Sequence, residues 1–123
     1  MSSQIRPIVA VVDDDPDVLD SLRFLLETAG HAVETYASAA RFLAEAEPAR
    51  LACLVLDEHM PQVTGLDLLA QLRARGLATP TFLVTARPSL ALARRATELG
   101  VLDVFEKPLT PDDLLARIGA AMA

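Results

Sequence analysis

The chain is poor in the residues that form disulfides, aromatic surfaces and basic binding faces. Its 123 residues include one cysteine, no tryptophan and 4% aromatic residues. The single Cys53 lies in an apolar stretch, so we expect a buried, reduced thiol and a reducing compartment. Apolar stretches long enough to span a bilayer are also absent from the sequence. We therefore expect a soluble cytoplasmic protein without a signal peptide or a membrane anchor.

Positive charge is scarce as well. The 17 Asp and Glu residues outnumber the 11 Lys and Arg residues, which gives a formal net charge of −6. Such an average field repels the phosphates of nucleic acids and of anionic membranes, so neither is expected as a partner. A single lysine, Lys107, stands among the basic residues and is followed by a proline. Lys107 is therefore a candidate for any site that needs an ammonium group.

About half of the residues, 52%, are hydrophobic, which is enough for one core. We expect a single domain over residues 1–123, with its core at about 7–121. Five apolar stretches alternate with five segments of helical period, which predicts a β-α unit repeated five times. The fold class is then α/β, a doubly wound five-stranded parallel sheet with helices on both faces. The predicted strands are Ile8–Val12, Ala32–Tyr36, Leu51–Leu56, Pro80–Val84 and Val101–Phe105.

Local patterns place one strand at an edge and indicate where the first helix begins. Ala32–Tyr36 alternates around Glu34, as an edge strand does, whereas Ile8–Val12 is apolar throughout and suits a strand buried on both faces. Asp15 precedes Pro16, a pairing of a capping side chain with a residue suited to the first helical position. We therefore assign Asp15 to helix capping rather than to metal binding.

Polar and charged residues stand at the carboxyl ends of the predicted strands. Asp13 and Asp14 follow the first strand, Asp57 the third, Thr85 the fourth and Lys107 the fifth. The carboxyl ends of parallel strands meet at one edge of the sheet, where open α/β folds bind their ligands. We therefore expect these side chains to form one site.

The chemistry of this set favours a divalent cation and a phosphoryl group. Carboxylates that lie close together repel each other unless a cation offsets their charge. Mg²⁺ binds through one or two carboxylates plus phosphate oxygens, which suits Asp14 and Asp57 with a backbone carbonyl. Asp57 can accept a phosphoryl group as a nucleophile, with Lys107 and Thr85 on the phosphoryl oxygens. We predict phosphoryl acceptance rather than turnover, with Mg²⁺ as the cofactor and Mn²⁺ as a possible substitute.

Four motifs together resemble the receiver domains of bacterial two-component response regulators, from about residue 7 to residue 121. They are Val-Val-Asp-Asp-Asp-Pro at 11–16, Leu-Asp-Glu-His-Met-Pro-Gln-Val-Thr-Gly-Leu at 56–66, Val-Thr-Ala at 84–86 and Phe-Glu-Lys-Pro-Leu at 105–109. Each motif alone is weak, but their order and their places at predicted strand ends are specific. The resemblance implies a flavodoxin-like strand order, 2-1-3-4-5.

The resemblance also implies a role for each residue of the metal site. Asp57 is the phosphoacceptor and a metal ligand, and Asp14 is the direct Mg²⁺ ligand. Asp13 is an acid of the metal site that acts mainly through water. The main-chain carbonyl of His59 is the third protein ligand.

Thr85 and Lys107 are implied to be the pair that senses the phosphoryl group. In this family the Thr85 hydroxyl is drawn in on phosphorylation, and the face formed by helix four, strand five and helix five changes. His59 and Arg87 occupy positions that border the phosphoryl group and tune its lifetime. Receivers commonly carry Tyr or Phe three residues before the lysine, where this chain has Val104. Phe105 is expected on the opposite face of its strand, so it does not replace that aromatic residue.

The implied phosphoryl donor is a sensor histidine kinase or a phosphotransfer protein. The implied target is a downstream effector or a covalently attached output domain outside this chain, and a phosphorylation-dependent homodimer stays open. Enzyme activity is expected only on the protein itself, as its own phosphorylation and dephosphorylation.

Two alternatives compete with this interpretation. A pseudo-receiver that binds partners without phosphorylation is suggested by Val104 alone. A phosphatase of the haloacid-dehalogenase type would need a second acid where His59 stands, so its general acid is missing.

Overall fold

The computed structural model describes residues 7–122 and has the α/β architecture that the sequence predicts. Residues 1–6 and 123, which belong to the predicted single domain over 1–123, lie outside the described residues. The elements in chain order are β1 (Ile8–Val12), α1 (Pro16–Thr28), β2 (Ala32–Tyr36), α2 (Ala39–Glu45), a 3₁₀ turn (Pro48–Arg50), β3 (Leu51–Asp57), α3 (Gly65–Ala74), β4 (Thr81–Thr85), α4 (Leu90–Glu98), β5 (Asp103–Glu106) and α5 (Pro111–Met122).

The five strands form one parallel sheet in the order β2-β1-β3-β4-β5. This order confirms the doubly wound arrangement and places β2 at an edge, as the alternation around Glu34 predicts. Among residues 7–122, none of the helices combines the length and the hydropathy that crossing a bilayer requires.

Each face of the sheet buries its own apolar cluster, which explains why the central strands are apolar throughout. In β1, Ala10 and Val12 belong to one cluster, whereas Val9 and Val11 belong to the other. The same alternation in β5 puts Val104 and Phe105 against different clusters. The prediction that Phe105 faces away from the Val104 side is therefore confirmed.

The first helix begins as predicted. The Asp15 side chain accepts a hydrogen bond from the Asp17 amide at 2.9 Å, and Pro16 is the first helical residue. The assignment of Asp15 to capping is thus confirmed, and it leaves Asp13 and Asp14 for the site.

The predicted bounds of the last three strands need correction. β3 extends one residue further, through Asp57, because Asp57 still pairs with Val84 of β4. β4 begins at Thr81 rather than at Pro80, and Pro80, which has no N–H, joins the sheet only as an acceptor from the Leu54 amide. The predicted strand ends were therefore one residue too early, at the point where the site begins.

The predicted start of β5 at Val101 is wrong by two residues. Gly100 has a φ of 78° after α4, and the Val101 amide donates to the Ala96 carbonyl at 2.9 Å. That hydrogen bond closes the helix, so Val101 cannot start the strand. Pairing proper begins at Asp103, opposite Phe82.

Candidate functional site

The carboxyl ends of β1 and β3 bring three aspartates together. Val12 is paired with Leu56, so the residues that follow, Asp13 and Asp57, emerge side by side. One carboxylate oxygen from each of Asp13, Asp14 and Asp57 lies within 4.8 Å of the other two. Asp13 and Asp57 are 3% and 4% exposed, whereas Asp14 is on the surface. The predicted carboxylate cluster is therefore formed, with one side open to solvent.

Lys107 bridges the two buried aspartates. Its Nζ lies 3.0 Å from Asp13 Oδ2 and 3.3 Å from Asp57 Oδ1. Its backbone amide donates to the Thr85 carbonyl at 2.8 Å, directly after β5, and this holds the residue over the sheet edge. The lone lysine of the sequence is thus brought into the site.

The charges in this cluster are strongly coupled. Burial raises the pKa of Asp57, and the negative charge of Asp13 raises it further, against the opposing charge and hydrogen bond of Lys107 and a hydrogen bond from the His59 backbone. Burial alone would lower the pKa of Lys107, but the hydrogen bonds and charges of Asp13 and Asp57 raise it overall. The ammonium group stays charged, while the Asp57 carboxylate carries an electrostatic penalty.

The cluster fits a hard divalent cation. Three carboxylates face one ammonium group, which leaves two negative charges without a positive partner inside the cluster. Carboxylate oxygens are the ligands that Mg²⁺ prefers, and Asp14 gives the site an open side for water or phosphate oxygens. Asp13, Asp14 and Asp57 can therefore hold a metal ion, whereas the His59 carbonyl stays a predicted ligand.

Thr85 is the last residue of β4 and is fully buried. Its Oγ1 lies 2.7 Å from Nε2 of His59 and accepts a hydrogen bond from the Arg87 amide at 3.0 Å. The family resemblance implies a ligand role for the His59 carbonyl and a place near the phosphoryl group, but not this side-chain contact. The sequence contains one indication of this contact. His59 stands two residues after the end of β3, and Thr85 stands at the end of the neighbouring strand β4.

Glu58 is a residue of the loop after β3, and the sequence analysis assigns it no role. It is only 8% exposed, and its Oε1 accepts a hydrogen bond from the Leu66 amide at 2.9 Å, in the first turn of α3. The backbone amide of Glu58 donates to Val84, and its carbonyl accepts from Gly65. Burial raises the pKa of this carboxyl, although the Leu66 hydrogen bond opposes the shift. Glu58 thus fixes the loop after Asp57 to both β4 and α3.

An apolar groove of about 710 Å³ lies next to the site, between α1 and the segment after β5. It meets the site at Lys107 and is lined further along by Leu22, Phe24, Leu25 and Leu109. The carboxylate cluster lies outside its lining. The groove is therefore a neighbour of the polar site and not the place where the carboxylates act.

The sheet order, the carboxylate cluster, the buried threonine and the half-buried lysine define a receiver-type domain. A family model described as "Response regulator receiver domain" matches residues 9–119. The chain belongs to this family of two-component systems, as the four motifs had indicated.

Named relatives support this assignment. The chain is 40% identical over 114 residues to the transcriptional regulatory protein FixJ of Azorhizobium caulinodans, covering 93% of this chain and 54% of that protein. It is 34% identical over 115 residues to the response regulator protein TodT of Pseudomonas putida, covering 94% and 51%. The chain therefore spans about half the length of the curated relatives it matches.

Solved structures agree with the fold. A CheY-like receiver domain protein from Methanospirillum hungatei has a TM-score of 0.88 at 29% identity, covering 95% of this chain and 94% of that one. The response regulator StyR also gives 0.88, at 38% identity, covering 95% of this chain and 59% of the other. The chain thus shares its fold with a solved chain of similar length and with a longer one.

Proposed function

We propose that this receiver domain accepts a phosphoryl group on Asp57, with Mg²⁺, from a sensor histidine kinase or a phosphotransfer protein. The observation that carries the proposal is the position of the Asp57 carboxylate, which is buried, lies within 4.8 Å of two further carboxylates and is 3.3 Å from the Lys107 ammonium. Such a group combines a nucleophilic oxygen with fixed positive charge and with oxygen ligands for a cation.

In the proposed transfer, a carboxylate oxygen of Asp57 attacks phosphorus in line with the leaving group. The new oxygen–phosphorus bond forms as the bond to the donor imidazole nitrogen breaks, and that electron pair stays on the imidazole. The ammonium of Lys107 neutralises negative charge on the transferred phosphoryl oxygens. The result is an acyl phosphate on Asp57. Later attack of water on phosphorus breaks the bond to the aspartyl oxygen, releases inorganic phosphate and returns the free carboxylate.

Asp13, Asp14 and Asp57, with the main-chain carbonyl of His59, are the proposed ligands of Mg²⁺. When bound, the cation supplies charge neutralisation and orientation for the phosphoryl group, and Mn²⁺ can take its place. Asp13 also keeps its own bonds, since it accepts from Lys107 and from the Asp15 amide at 2.9 Å. That arrangement suits a role through water, with Asp14 as the direct ligand.

The output of the switch is proposed to be a change in the face formed by α4, β5 and α5. α4 packs less extensively against the sheet than α3 does, because it buries only Ala96, whereas α3 buries five residues. Leu90 at the start of α4 is 68% exposed and Leu102 before β5 is 49% exposed. Weakly packed elements with exposed apolar residues are suited to exchange between two arrangements and to bind partners.

The target of this face is proposed to be a downstream effector or an attached output domain, with a phosphorylation-dependent homodimer as a further possibility. The relatives of about twice the length support an attached domain. We propose a cytoplasmic location, in keeping with the reduced thiol of buried Cys53. Catalysis is limited to the protein's own phosphorylation and dephosphorylation.

The test is intact mass after incubation with Mg²⁺ and acetyl phosphate, a small acyl phosphate that needs no kinase. We expect the wild-type chain to gain one phosphoryl group and Asp57→Asn to gain none. Asp15→Asn is the matched control, because Asp15 belongs to the same acidic triplet but caps α1, and Asn caps a helix equally well. It is expected to gain the phosphoryl group as the wild type does.

Chelation of the divalent cation is expected to abolish the gain. No mass increase in the wild type with Mg²⁺, while the protein is folded, would contradict the proposal and favour a phosphorylation-independent pseudo-receiver. A gain in Asp57→Asn equal to that of the wild type would show that a different residue is the acceptor.

A further inference from the structure

The hydroxyl of Thr85 already has two partners in the unphosphorylated protein. Its oxygen accepts a hydrogen bond from the Arg87 amide at 3.0 Å and lies 2.7 Å from Nε2 of His59. Thr85 itself is fully buried, whereas His59 lies at the surface, on the loop after Asp57. His59 therefore covers the hydroxyl from the solvent side of the site.

The direction of the contact with His59 follows from the burial of the hydroxyl taken together with the bond from Arg87. A hydroxyl has one proton to donate, and among residues 7–122 Thr85 Oγ1 makes hydrogen bonds only to these two groups. The Arg87 amide is itself a donor, and a buried hydroxyl proton needs an acceptor, so His59 Nε2 is the group assigned to accept it. We assign the imidazole as the tautomer protonated on Nδ1, with the Nε2 lone pair facing Thr85.

The bond to His59 competes with the bond that the Thr85 hydroxyl is proposed to donate to the phosphoryl group. The proton of a hydroxyl serves one acceptor at a time, so Thr85 cannot donate to a phosphoryl oxygen on Asp57 while it donates to His59. The two acceptors come from adjacent places in the chain, since His59 stands two residues after Asp57. Phosphorylation must therefore break the contact between His59 and Thr85.

We propose that His59 is a positioning residue that holds the Thr85 hydroxyl until a phosphoryl oxygen displaces it, and so opposes the active arrangement. This inference rests on the proposed phosphorylation of Asp57 and adds a specific restraint to it. The restraint depends on this chain's own residues. It needs, two positions after the phosphoacceptor Asp57, a side chain long enough to accept a hydrogen bond from Thr85.

The restraint predicts that removal of the imidazole makes the active arrangement easier to reach. A hydrogen bond of this kind has a modest net contribution, because water replaces it when it breaks. We therefore expect His59→Ala to bind a phosphoryl analogue about two- to tenfold more tightly than the wild type. If His59 only bordered the site, its removal would change the affinity for the analogue by the same factor whether or not Thr85 is present.

The experiment is a double-mutant cycle on the chain as it stands, with beryllium fluoride and Mg²⁺ as the non-covalent analogue of aspartyl phosphate. The four proteins are wild type, His59→Ala, Thr85→Ala and the double variant. Affinity is followed by NMR or calorimetry under the same buffer conditions for all four proteins. We expect His59→Ala to raise the affinity for beryllium fluoride when residue 85 is threonine, and to leave the affinity unchanged in the Thr85→Ala background.

A second readout does not depend on affinity. The ¹⁵N resonance of His59 Nε2 reports whether it accepts a hydrogen bond, so it should differ between wild type and Thr85→Ala before any analogue is added. In the wild type it should move towards the Thr85→Ala value when beryllium fluoride binds. The Mg²⁺ affinity without fluoride is measured in all four proteins, and the comparison of fluoride affinities is made at saturating Mg²⁺.

The outcomes separate the restraint from the proposed function. Three results would each overturn the restraint and leave the proposed phosphorylation unaffected. They are equal effects of His59→Ala in both backgrounds, a weaker affinity in His59→Ala, and an Nε2 resonance that is unchanged by Thr85→Ala. A wild type that binds no beryllium fluoride at Asp57 would overturn the proposed function, and the restraint with it.

Discussion

Gly65 controls how closely α3 approaches the acceptor strand. A Cβ atom at this position would lie 2.5 Å from the carbonyl oxygen of Asp57 and 3.1 Å from a methyl carbon of Leu83. The first of these contacts is with backbone, which cannot turn aside as a flexible side chain can. Only glycine lets the first residue of α3 pack against the strand end that carries Asp57.

We therefore predict that Gly65→Ala lowers the free energy of unfolding by about 1–3 kcal/mol, because the strand end or the helix must shift. The same shift should reduce phosphorylation by acetyl phosphate, because it moves the Asp57 backbone. Chemical denaturation followed by circular dichroism measures the first effect and intact mass measures the second.

Gly119 provides the matched control for this substitution. It lies inside α5, and a Cβ there would meet no heavy atom within 4 Å apart from those of its own stretch of helix. Gly119→Ala should raise the free energy of unfolding by about 0.5–1 kcal/mol, because alanine loses less backbone entropy in a helix. Equal stability effects of the two substitutions would show that the contact with Asp57 is not the cause.

At the scale of elements, Arg73 ties the end of α3 to the segments on either side of β4. Its guanidinium donates to the carbonyls of Leu77 and Thr79, both at 3.0 Å, and to the carbonyl of Leu99 at 2.8 Å. Leu99 ends α4, so one side chain connects α3, the turn before β4 and the helix of the proposed output face. Burial lowers the pKa of Arg73, but an arginine remains charged throughout the working range.

Arg73→Met should therefore lower the free energy of unfolding by about 1–3 kcal/mol, because three carbonyls lose a charged donor. It should also increase amide hydrogen exchange at the end of α4 more than in β1. Arg75→Met is the control, because Arg75 lies in the same turn but is exposed and its side chain makes no hydrogen bond or ion pair within residues 7–122. Similar losses in the two variants would contradict the role given to Arg73.

The positions of the elements and of the charged site residues could be predicted from the sequence, for a simple geometric reason. Parallel strands end at one edge, so Asp13, Asp57, Thr85 and Lys107 had to converge once the β-α repeat was recognised. The apolar pattern failed at Val101, because an amide used to close α4 looks the same in sequence as one used in a strand.

Loop side chains could not be predicted in the same way. The direction of the His59 ring depends on the path of the loop after β3, and that path is fixed by contacts distant in sequence. Glu58 reaches the first turn of α3, and Gly65 packs on the Asp57 carbonyl. Contacts of this kind cannot be predicted from the order of residue types, so the bond between His59 and Thr85 is found only in the structure.

At the scale of the whole molecule, the carboxylate cluster should reduce stability when no cation is bound. Asp57 is buried beside Asp13, and the resulting rise in its pKa means that the folded protein binds the proton more tightly than the unfolded chain. The free energy of unfolding should therefore increase as the pH falls through the raised pKa of Asp57 towards the ordinary pKa of an aspartate in the unfolded chain. Above the raised pKa the full penalty of the ionised carboxylate remains.

Asp57→Asn removes this charge while Lys107 keeps Asp13 as its ion-pair partner, so it should stabilise the metal-free protein near pH 7 by on the order of 1 kcal/mol. Mg²⁺ should reverse the order, because a ligand that binds only the folded state at a hundredfold excess over its Kd adds about 2.7 kcal/mol. The wild type would receive that gain, and the variant, with one carboxylate fewer, would receive less. Denaturation curves with chelator and with Mg²⁺, between about pH 5 and 8, measure both effects.

The reversal is the decisive part, because each half alone has another explanation. A variant that is more stable in both conditions would show only that the ionised Asp57 carboxylate destabilises the folded protein, and that Mg²⁺ does not offset this effect. A variant that is less stable in both would mean that the ion pair between Asp57 and Lys107 outweighs the repulsion from Asp13. Only a change of sign with Mg²⁺ links the cost of the three carboxylates to the ion that they are arranged to bind.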